Sequence, residues 1–532
     1  MEPPRRRLGG VGALFFLATL GVIAFYVQRQ EVPEEHDAIR TSATALTRVA
    51  EEEPAAPTPW SERLDLASVT FLEIGAAGEA AEGSPEAATA ESGAPDHAQS
   101  RYVQELEDGS RVLYTLDPTL QESALQIFRN REVPYAAAVV LDVEDNAVLA
   151  LAGHSSMDPK VDPLEILTTA WAPAASTFKI VTAAALLEHK RANAHTRACF
   201  SGGLRGITDD LLRDDPNRDT RCATLSDAVA HSHNVVIAKL AMKYLDREQL
   251  VATSEQLAFT HPLAFEFPVE ASPANIPADP RERAKVAAGF WHVDMSPLHG
   301  AVLASVFARG GLLQAPHIVE QVVNAAGEEL TPPLPKTARV LRSEVAREVG
   351  AMMVGTTTEG TAKGSFRDQS GVPYIADVVV AGKTGSLTGR RAPALNYNWF
   401  IGFAPADDPE IAFAVLLANE PKWRIKAHYA GRRLVQIYLE RRDAIREHRR
   451  ARLQRDGSLA LPSQAGATAV AHRDTQPSAK PGASGSSRDD ASSAASGEGP
   501  QAAAAAADGD DALPPVPGPV ARPETSQQAS DE

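Results

Sequence analysis

The chain has 532 residues, 69 of them acidic and 52 basic, for a formal net charge of −17, and 44% of its residues are hydrophobic. That length holds one large domain or several ordinary ones, and the acidic balance argues against general nucleic-acid binding. Much of the charge lies in stretches without apolar periodicity, so the average composition describes no single domain.

Arg5, Arg6 and Arg7 precede an uncharged apolar run from Leu8 to Val27. This pattern predicts a membrane anchor over residues 8–27, with residues 1–7 on the cytoplasmic side. A cleaved signal peptide is the rival reading, but the run is longer than a signal core and no Ala-x-Ala site follows it. Either reading exports the rest of the chain. Residues 28–100 are rich in Glu, Ala, Pro and Gly and read as a disordered acidic tether, with scattered apolar residues between Leu64 and Ile74 that leave a short element open there.

Residues from Arg101 to Asp117 predict a strand or strand pair, and those from Thr119 to Arg129 a helix started by Pro118. The apolar runs Tyr135 to Val143 and Ala147 to Ala152, joined by Glu144, Asp145 and Asn146, predict a buried hairpin. A loop containing Gly153, His154 and Asp158 leads on to Pro173-Ala-Ala-Ser-Thr-Phe-Lys179 and an almost wholly apolar helix. His154 is a candidate for the neighbourhood of a pocket, although a loop histidine with no partner motif is ordinarily just solvated. Ser176 and Lys179 stand three positions apart, on one face of that helix and within reach of each other. An apolar helix belongs in a core. A buried lysine sheds its proton readily and then acts as a base towards a neighbouring hydroxyl, which activates a serine without histidine. Taken alone, the pattern also fits a capping serine followed by a lysine that runs its stem along apolar surface.

The segment from Leu225 to Ala230 reads as helical and runs into His231-Ser232-His233-Asn234, with Val235 to Ala241 continuing as a buried helix. Ser232 and Asn234 then sit on a tight loop aimed at a pocket, a helix cap being the plain alternative. His233, between them, points away and is given no role. Gly355 to Ala362 resembles a loop that follows a helix in a known family, and Ile375 to Ala381 reads as a strand ending in Gly382-Lys383-Thr384-Gly385-Ser386. The end of this stretch looks like a phosphate-binding loop, but the required earlier glycine is Asp377 and a strand continues through it. The glycines beside Lys383 allow a substrate backbone to approach the strand edge. Asn398 to Ala404 and Ile411 to Leu417 form a terminal antiparallel hairpin. Arg432 to Arg455 is a helix, amphipathic and then basic. Residues 441–457 are read as a solvated basic helix end, the alternative being a surface for anionic lipid or wall polymer. Residues 458–532 are a low-complexity tail.

Ser176-x-x-Lys179, Ser232-x-Asn234 and Lys383-Thr384-Gly385 occur once each and in that order, and together they resemble the motif set of penicillin-binding proteins and β-lactamases. Over residues 101–440 the chain resembles a penicillin-binding protein transpeptidase domain. The resemblance implies an α/β (α+β) fold: a five-stranded antiparallel sheet flanked by helices, with a mostly helical subdomain, β-lactamase/transpeptidase-like, and the site between these parts. It implies that Ser176 attacks the penultimate D-Ala carbonyl of a peptidoglycan stem peptide with Lys179 as base. Ser232 would relay a proton to the leaving amine, and Asn234 would hold the peptide amide and Lys179. Lys383 would supply charge near Ser232 and the terminal carboxylate. Thr384, Gly385 and Ser386 would bind substrate, with the backbone N–H groups of Ser176 and Ser386 as the oxyanion hole.

The stretch from Ala287 to His299 resembles a family segment near the site, although Phe290, Trp291 and His292 replace its usual Gly-Gln-Gly-like run. Cys199 and Cys222 resemble a Cys-bounded family segment, and an exported location permits a disulfide; bonded and free thiols both stay open, while two cysteines alone do not make a metal site. No cofactor and no metal are implied. The expected partners are stem peptides, β-lactams, the membrane through the N-terminal run and other cell-wall synthesis proteins. Neither a glycosyltransferase module nor the usual N-terminal pedestal is evident. A class D-like β-lactamase remains open, although Ser-x-Asn stands where that class has Ser-x-Val and no Tyr-Gly-Asn motif is found. D,D-carboxypeptidase activity and a non-catalytic sensor or envelope scaffold remain open as well.

Overall fold

The structure is a computed structural model that describes residues 61–66, 70–73, 100–202, 206–389, 394–421 and 424–455. The expected anchor at 8–27 and the tail at 458–532 lie outside the described residues. No helix among the described residues is long and apolar enough to cross a membrane.

Twelve elements carry the site: α1 (Pro118–Arg129), β1 (Tyr135–Asp142), β2 (Val148–Ser155), α2 (Phe178–Glu188), α3 (Leu225–Ala230), α4 (Asn234–Tyr244), α5 (Pro297–Ala308), α6 (Ser343–Thr358), β3 (Ala381–Thr388), β4 (Asn396–Ala404), β5 (Ile411–Asn419) and α7 (Ala427–Arg455). The five strands form one sheet in the order β3-β4-β5-β1-β2, every pairing antiparallel. This is the expected sheet.

Alternation along the strands divides the core in two. Ala137, Val139 and Leu141 of β1 and Ala412, Ala414 and Leu416 of β5 join a cluster with α2, α5 and α6. Their neighbours Ala136, Ala138, Val140, Phe413, Val415 and Leu417 join a second cluster with α1 and α7. Strands covered on both faces read as unbroken apolar runs, which is why the sequence marked them clearly. α1 starts as expected: Asp117 accepts a hydrogen bond from Leu120 N at 2.9 Å, with Pro118 in the first turn.

Four expectations are corrected. Within the supposed tether, Thr70–Glu73 form a strand that pairs antiparallel with Ser100–Glu105 in a small four-stranded sheet. Gln104 further ties residues before that strand, accepting from Asp65 N and donating to Arg63 O. The segment from Ile375 to Val380 is not strand; β3 begins at Ala381. The partner strand β4 ends at Ala404, and Pro405 behind it has no N–H to offer a longer ladder. The helix expected to end near Gly355 runs to Thr358, so the loop starts at Glu359. Nor is the start of the basic helix end simply solvated. Arg441 pairs with Asp117 at 3.1 Å, and Arg442 pairs with the buried Glu410.

Cys199 and Cys222 face each other across paired strands Arg197–Phe200 and Arg221–Thr224 and are bonded. The bond closes a loop with a sequence separation of 23. Loop-closure entropy at that length predicts that replacing both cysteines by serine lowers the unfolding free energy by about 3 kcal/mol, read as a lower denaturation midpoint in urea.

Candidate active site

Ser176 lies in a 3-10 turn, Ala175–Thr177, that feeds directly into α2. The turn is pinned from below by Trp399 of β4, whose Nε1 donates to Pro173 O at 2.8 Å, and by Ala174 N, which donates to Val293 O at 2.9 Å. Ala175 is held at a φ of 50°, in the left-handed region that non-glycine residues avoid, so the surroundings impose the conformation that presents the serine. Gly289 is part of that constraint: its φ is 89°, and a Cβ there would lie 2.2 Å from Ala175 O.

Lys179 is fully buried. Its Nζ donates to Ser176 Oγ at 2.6 Å, to Asn234 Oδ1 at 2.7 Å and to Ala288 O at 2.5 Å. Burial, with the charge of Lys383 adding to it, holds its pKa well below the ordinary lysine range. Burial thus eases the loss of one proton, and the neutral amine then donates to Asn234 Oδ1 and Ala288 O while its lone pair meets the Ser176 hydroxyl, as the base role needs.

Ser232 follows α3 at a φ of 57°, another left-handed residue, and Asn234 opens α4 two positions later. His233 turns the other way, its ring lying edge-on to Phe200 at 5.4 Å. On the far side of the cleft, the fully buried Lys383 on β3 donates to Ser232 Oγ at 3.1 Å and to Thr384 O at 2.8 Å. Burial pushes its pKa down to about 7. Two ammonium groups so close disfavour each other, and the charge of Lys383 adds to the lowering at Lys179.

Ser176, Ser232, Asn234, Thr384 and Ser386 line one cleft of about 650 Å3. Thr384 Oγ1 lies 2.6 Å from Thr361 Oγ1, and Ser386 Oγ accepts from Asn398 Nδ2 at 2.8 Å. A Cβ on Gly385 would meet Thr177 Cγ2 at 3.1 Å, Trp399 Cβ at 3.2 Å and Ala174 O at 3.3 Å, so the glycine lets β3 pack against the serine turn. His154 is corrected: it sits on β2, at the opposite edge of the sheet from β3. Phe290 takes its place in the cleft wall beside Ala288 and Gly289.

Sequence reasoning missed the cleft-lining roles of Thr361, Asn398, His231, Lys426 and His428. Asn398 left a signal, an amide followed directly by the apolar run Trp399-Phe400-Ile401 of β4. Its Nδ2 holds Ser386, while its Oδ1 accepts from Ala427 N at 2.6 Å at the start of α7. No group of three or more metal-binding side chains occurs among the described residues.

A family model described as "Penicillin binding protein transpeptidase domain" matches residues 136–437. The chain is 25% identical over 342 residues to Stage V sporulation protein D of Bacillus subtilis, covering 60% of this chain and 51% of that protein. It is 25% identical over 345 residues to Peptidoglycan D,D-transpeptidase PbpA of Mycolicibacterium smegmatis, covering 58% and 68%. The chain thus spans about half the length of the Bacillus relative and about two thirds of the mycobacterial one. Among solved structures it is similar to PBPA from Mycobacterium tuberculosis, with a TM-score of 0.52 at 22% identity, covering 62% of this chain and 81% of that one. It is similar as well to the D,D-transpeptidase domain of a peptidoglycan glycosyltransferase from Eggerthella lenta, with a TM-score of 0.52 at 22% identity, covering 64% and 95%. These likenesses show a shared fold.

Proposed function

The chain belongs to the penicillin-binding protein transpeptidase domain family, and from that premise we propose that it is a serine D,D-transpeptidase that cross-links peptidoglycan stem peptides through an acyl-serine intermediate. The observation that carries this reading is the buried, deprotonation-prone Nζ of Lys179 at 2.6 Å from Ser176 Oγ, with the Lys383–Ser232 pair facing it across the cleft.

In acylation, Ser176 Oγ attacks the penultimate D-Ala carbonyl while Lys179 takes the hydroxyl proton. The C–N bond then breaks, and the proton passes through Lys179 and Ser232 to the departing D-Ala amine. Asn234 holds Lys179 in line, and Lys383 with Thr384 and Ser386 receives the terminal carboxylate. That carboxylate favours the charged form of Lys383, countering the burial that weakens it in the empty cleft. Backbone N–H groups of Ser176 and Ser386 carry the oxyanion. Deacylation by a second stem peptide's amine forms the cross-link and returns the proton to Ser176. β-Lactams mimic the D-Ala-D-Ala end and acylate the same serine. The run from Leu8 to Val27 anchors the chain with the catalytic domain outside the cytoplasmic membrane; fractionation that leaves the full chain in the soluble pool would remove that assignment.

The test is intact-mass measurement of the full chain with benzylpenicillin over time, followed by peptide mapping. A persistent adduct carried on Ser176 is the expected result. An adduct that clears quickly as hydrolysed drug accumulates assigns the chain to β-lactamase chemistry. No adduct on folded protein moves it to a non-catalytic scaffold.

A further inference from the structure

Transpeptidation needs a second substrate whose nucleophile is an amine, and a lysine-type amine is held protonated at neutral pH, with a pKa of about 10.4. It must lose a proton before it can attack the acyl-serine. Lys179 is poorly suited to that task, because its Nζ is fully buried and engaged with Ser176, Asn234 and Ala288. Imidazole is the side chain that ordinarily exchanges a proton between about pH 5 and 8.

Two histidines line the cleft, His231 and His428. His428 is unsuitable: its Nδ1 lies 2.6 Å from Ser365 Oγ, and burial pushes its pKa down to about 4. His231 caps α3 immediately before Ser232 and remains partly exposed. Its ring makes no hydrogen bond among the described residues, and lies edge-on to His233 at 5.7 Å. Asp227 on α3 acts on both histidines, and Arg221 from the disulfide-bonded hairpin and Lys179 act on His233; Lys383, bonded to the neighbouring Ser232, and Lys426 and His428 stand at the same cleft. His233 has a buried Nδ1 and faces Phe200, whereas His231 is the member of the pair that lines the cleft.

We propose that His231 is a catalytic residue of the transfer half-reaction, the base that takes a proton from the incoming acceptor ammonium at the Ser232 side of the cleft. This rests on the acyl-serine reading. The acceptor N–H bond breaks as an N–H bond forms on the imidazole. The freed amine attacks the acyl carbon, and its remaining surplus proton passes through Lys179 to Ser176 Oγ as the ester C–O bond breaks. His231 returns its proton to water. The products are an amide, a free serine and one released proton. The same step is not needed when water is the acceptor, so His231 favours cross-linking over hydrolysis.

The test is the partition of one acyl-enzyme. The full chain is given an acyl-D-Ala thioester donor, with D-alanine as the acceptor amine, and amide and acid products are counted. This ratio does not depend on how fast the acyl-enzyme forms. In His231→Gln the amide-to-acid ratio is expected to fall about tenfold or more at about pH 7. The deficit should shrink towards about pH 10, where the amine is already free. In His231→Ala, added imidazole should restore part of the ratio. An unchanged ratio, or a deficit that persists at high pH and ignores imidazole, overturns the proposal. No acyl-enzyme in the unmodified chain overturns the transpeptidase reading and this proposal with it, which separates the two failures.

Discussion

Lys179→Ala is expected to lower the rate constant for penicillin acylation by about a thousandfold or more while the protein still folds. The reason is geometric before it is electrostatic. Nζ of Lys179 is the base nearest the nucleophile, at 2.6 Å from Ser176 Oγ, and it also holds Asn234 and Ala288 O in place. No other group in the cleft combines that distance with a strongly lowered pKa. Lys179→Arg should fail nearly as badly, because a guanidinium stays charged and accepts no proton. Quench-flow or stopped-flow acylation measures both variants. Acylation within about tenfold of the unmodified chain would mean that Ser176 is activated by something other than Lys179.

Lys383→Ala is expected to cost about a hundredfold in the second-order acylation constant for a penicillin bearing a carboxylate, and to remove the alkaline limb of its pH profile. The two cleft lysines have opposite tasks. Lys179 must be neutral, so acylation rises with pH as it loses its proton. Lys383 must keep its proton to meet a carboxylate, so binding fades as pH climbs through about 7 in the empty cleft. The unmodified chain should therefore show a bell, with apparent pKa values that belong to the coupled pair. A falling limb at the same pH in Lys383→Ala would overturn the assignment.

The same burial has a consequence for stability, with a definite sign. The folded pKa of Lys383 is about 7, below the unfolded value of about 10.4. Between those values the unfolded chain binds more protons than the folded one, so the lysine's contribution to stability rises with pH, by up to about 1.4 kcal/mol per pH unit, and flattens below about 7. The Tm of the unmodified chain relative to Lys383→Met should accordingly climb between about pH 7 and pH 10. A difference that stays flat across that window would contradict the burial of the ammonium.

Much of the site was legible because its parts are local. Ser176 and Lys179 meet through helical spacing alone, and the apolar run from Phe178 onward announces that the lysine is buried. Ser232 and Asn234 flank a turn that one short stretch of chain can specify. The sheet was equally plain, because strands covered on both faces leave unbroken runs such as Tyr135 to Val143. Local patterns also misled. Ile375 to Val380 is as apolar as a strand, but the length of β3 is set by where its partner β4 runs out, more than twenty positions away. Gly385 has a packing role that its neighbours in sequence do not announce, because the space its missing Cβ leaves is taken by Thr177 and Trp399.

The sequence by itself determined the pairing of Ser176 with a buried Lys179, the order of the three motifs and the kind of sheet, because helix periodicity and strand burial are written in neighbouring residues. Only the tertiary structure decided how those motifs work together. It brought Lys383 within 3.1 Å of Ser232, although 151 positions separate them, and set its charge where it adds to the lowered pKa of the buried Lys179. It made a glycine at position 289 necessary by laying it against Ala175 O, and placed His231 in the cleft lining while His233 packs against Phe200. The physical reason is that proximity across a fold is fixed by packing, and pKa values and steric limits follow from what packing places nearby.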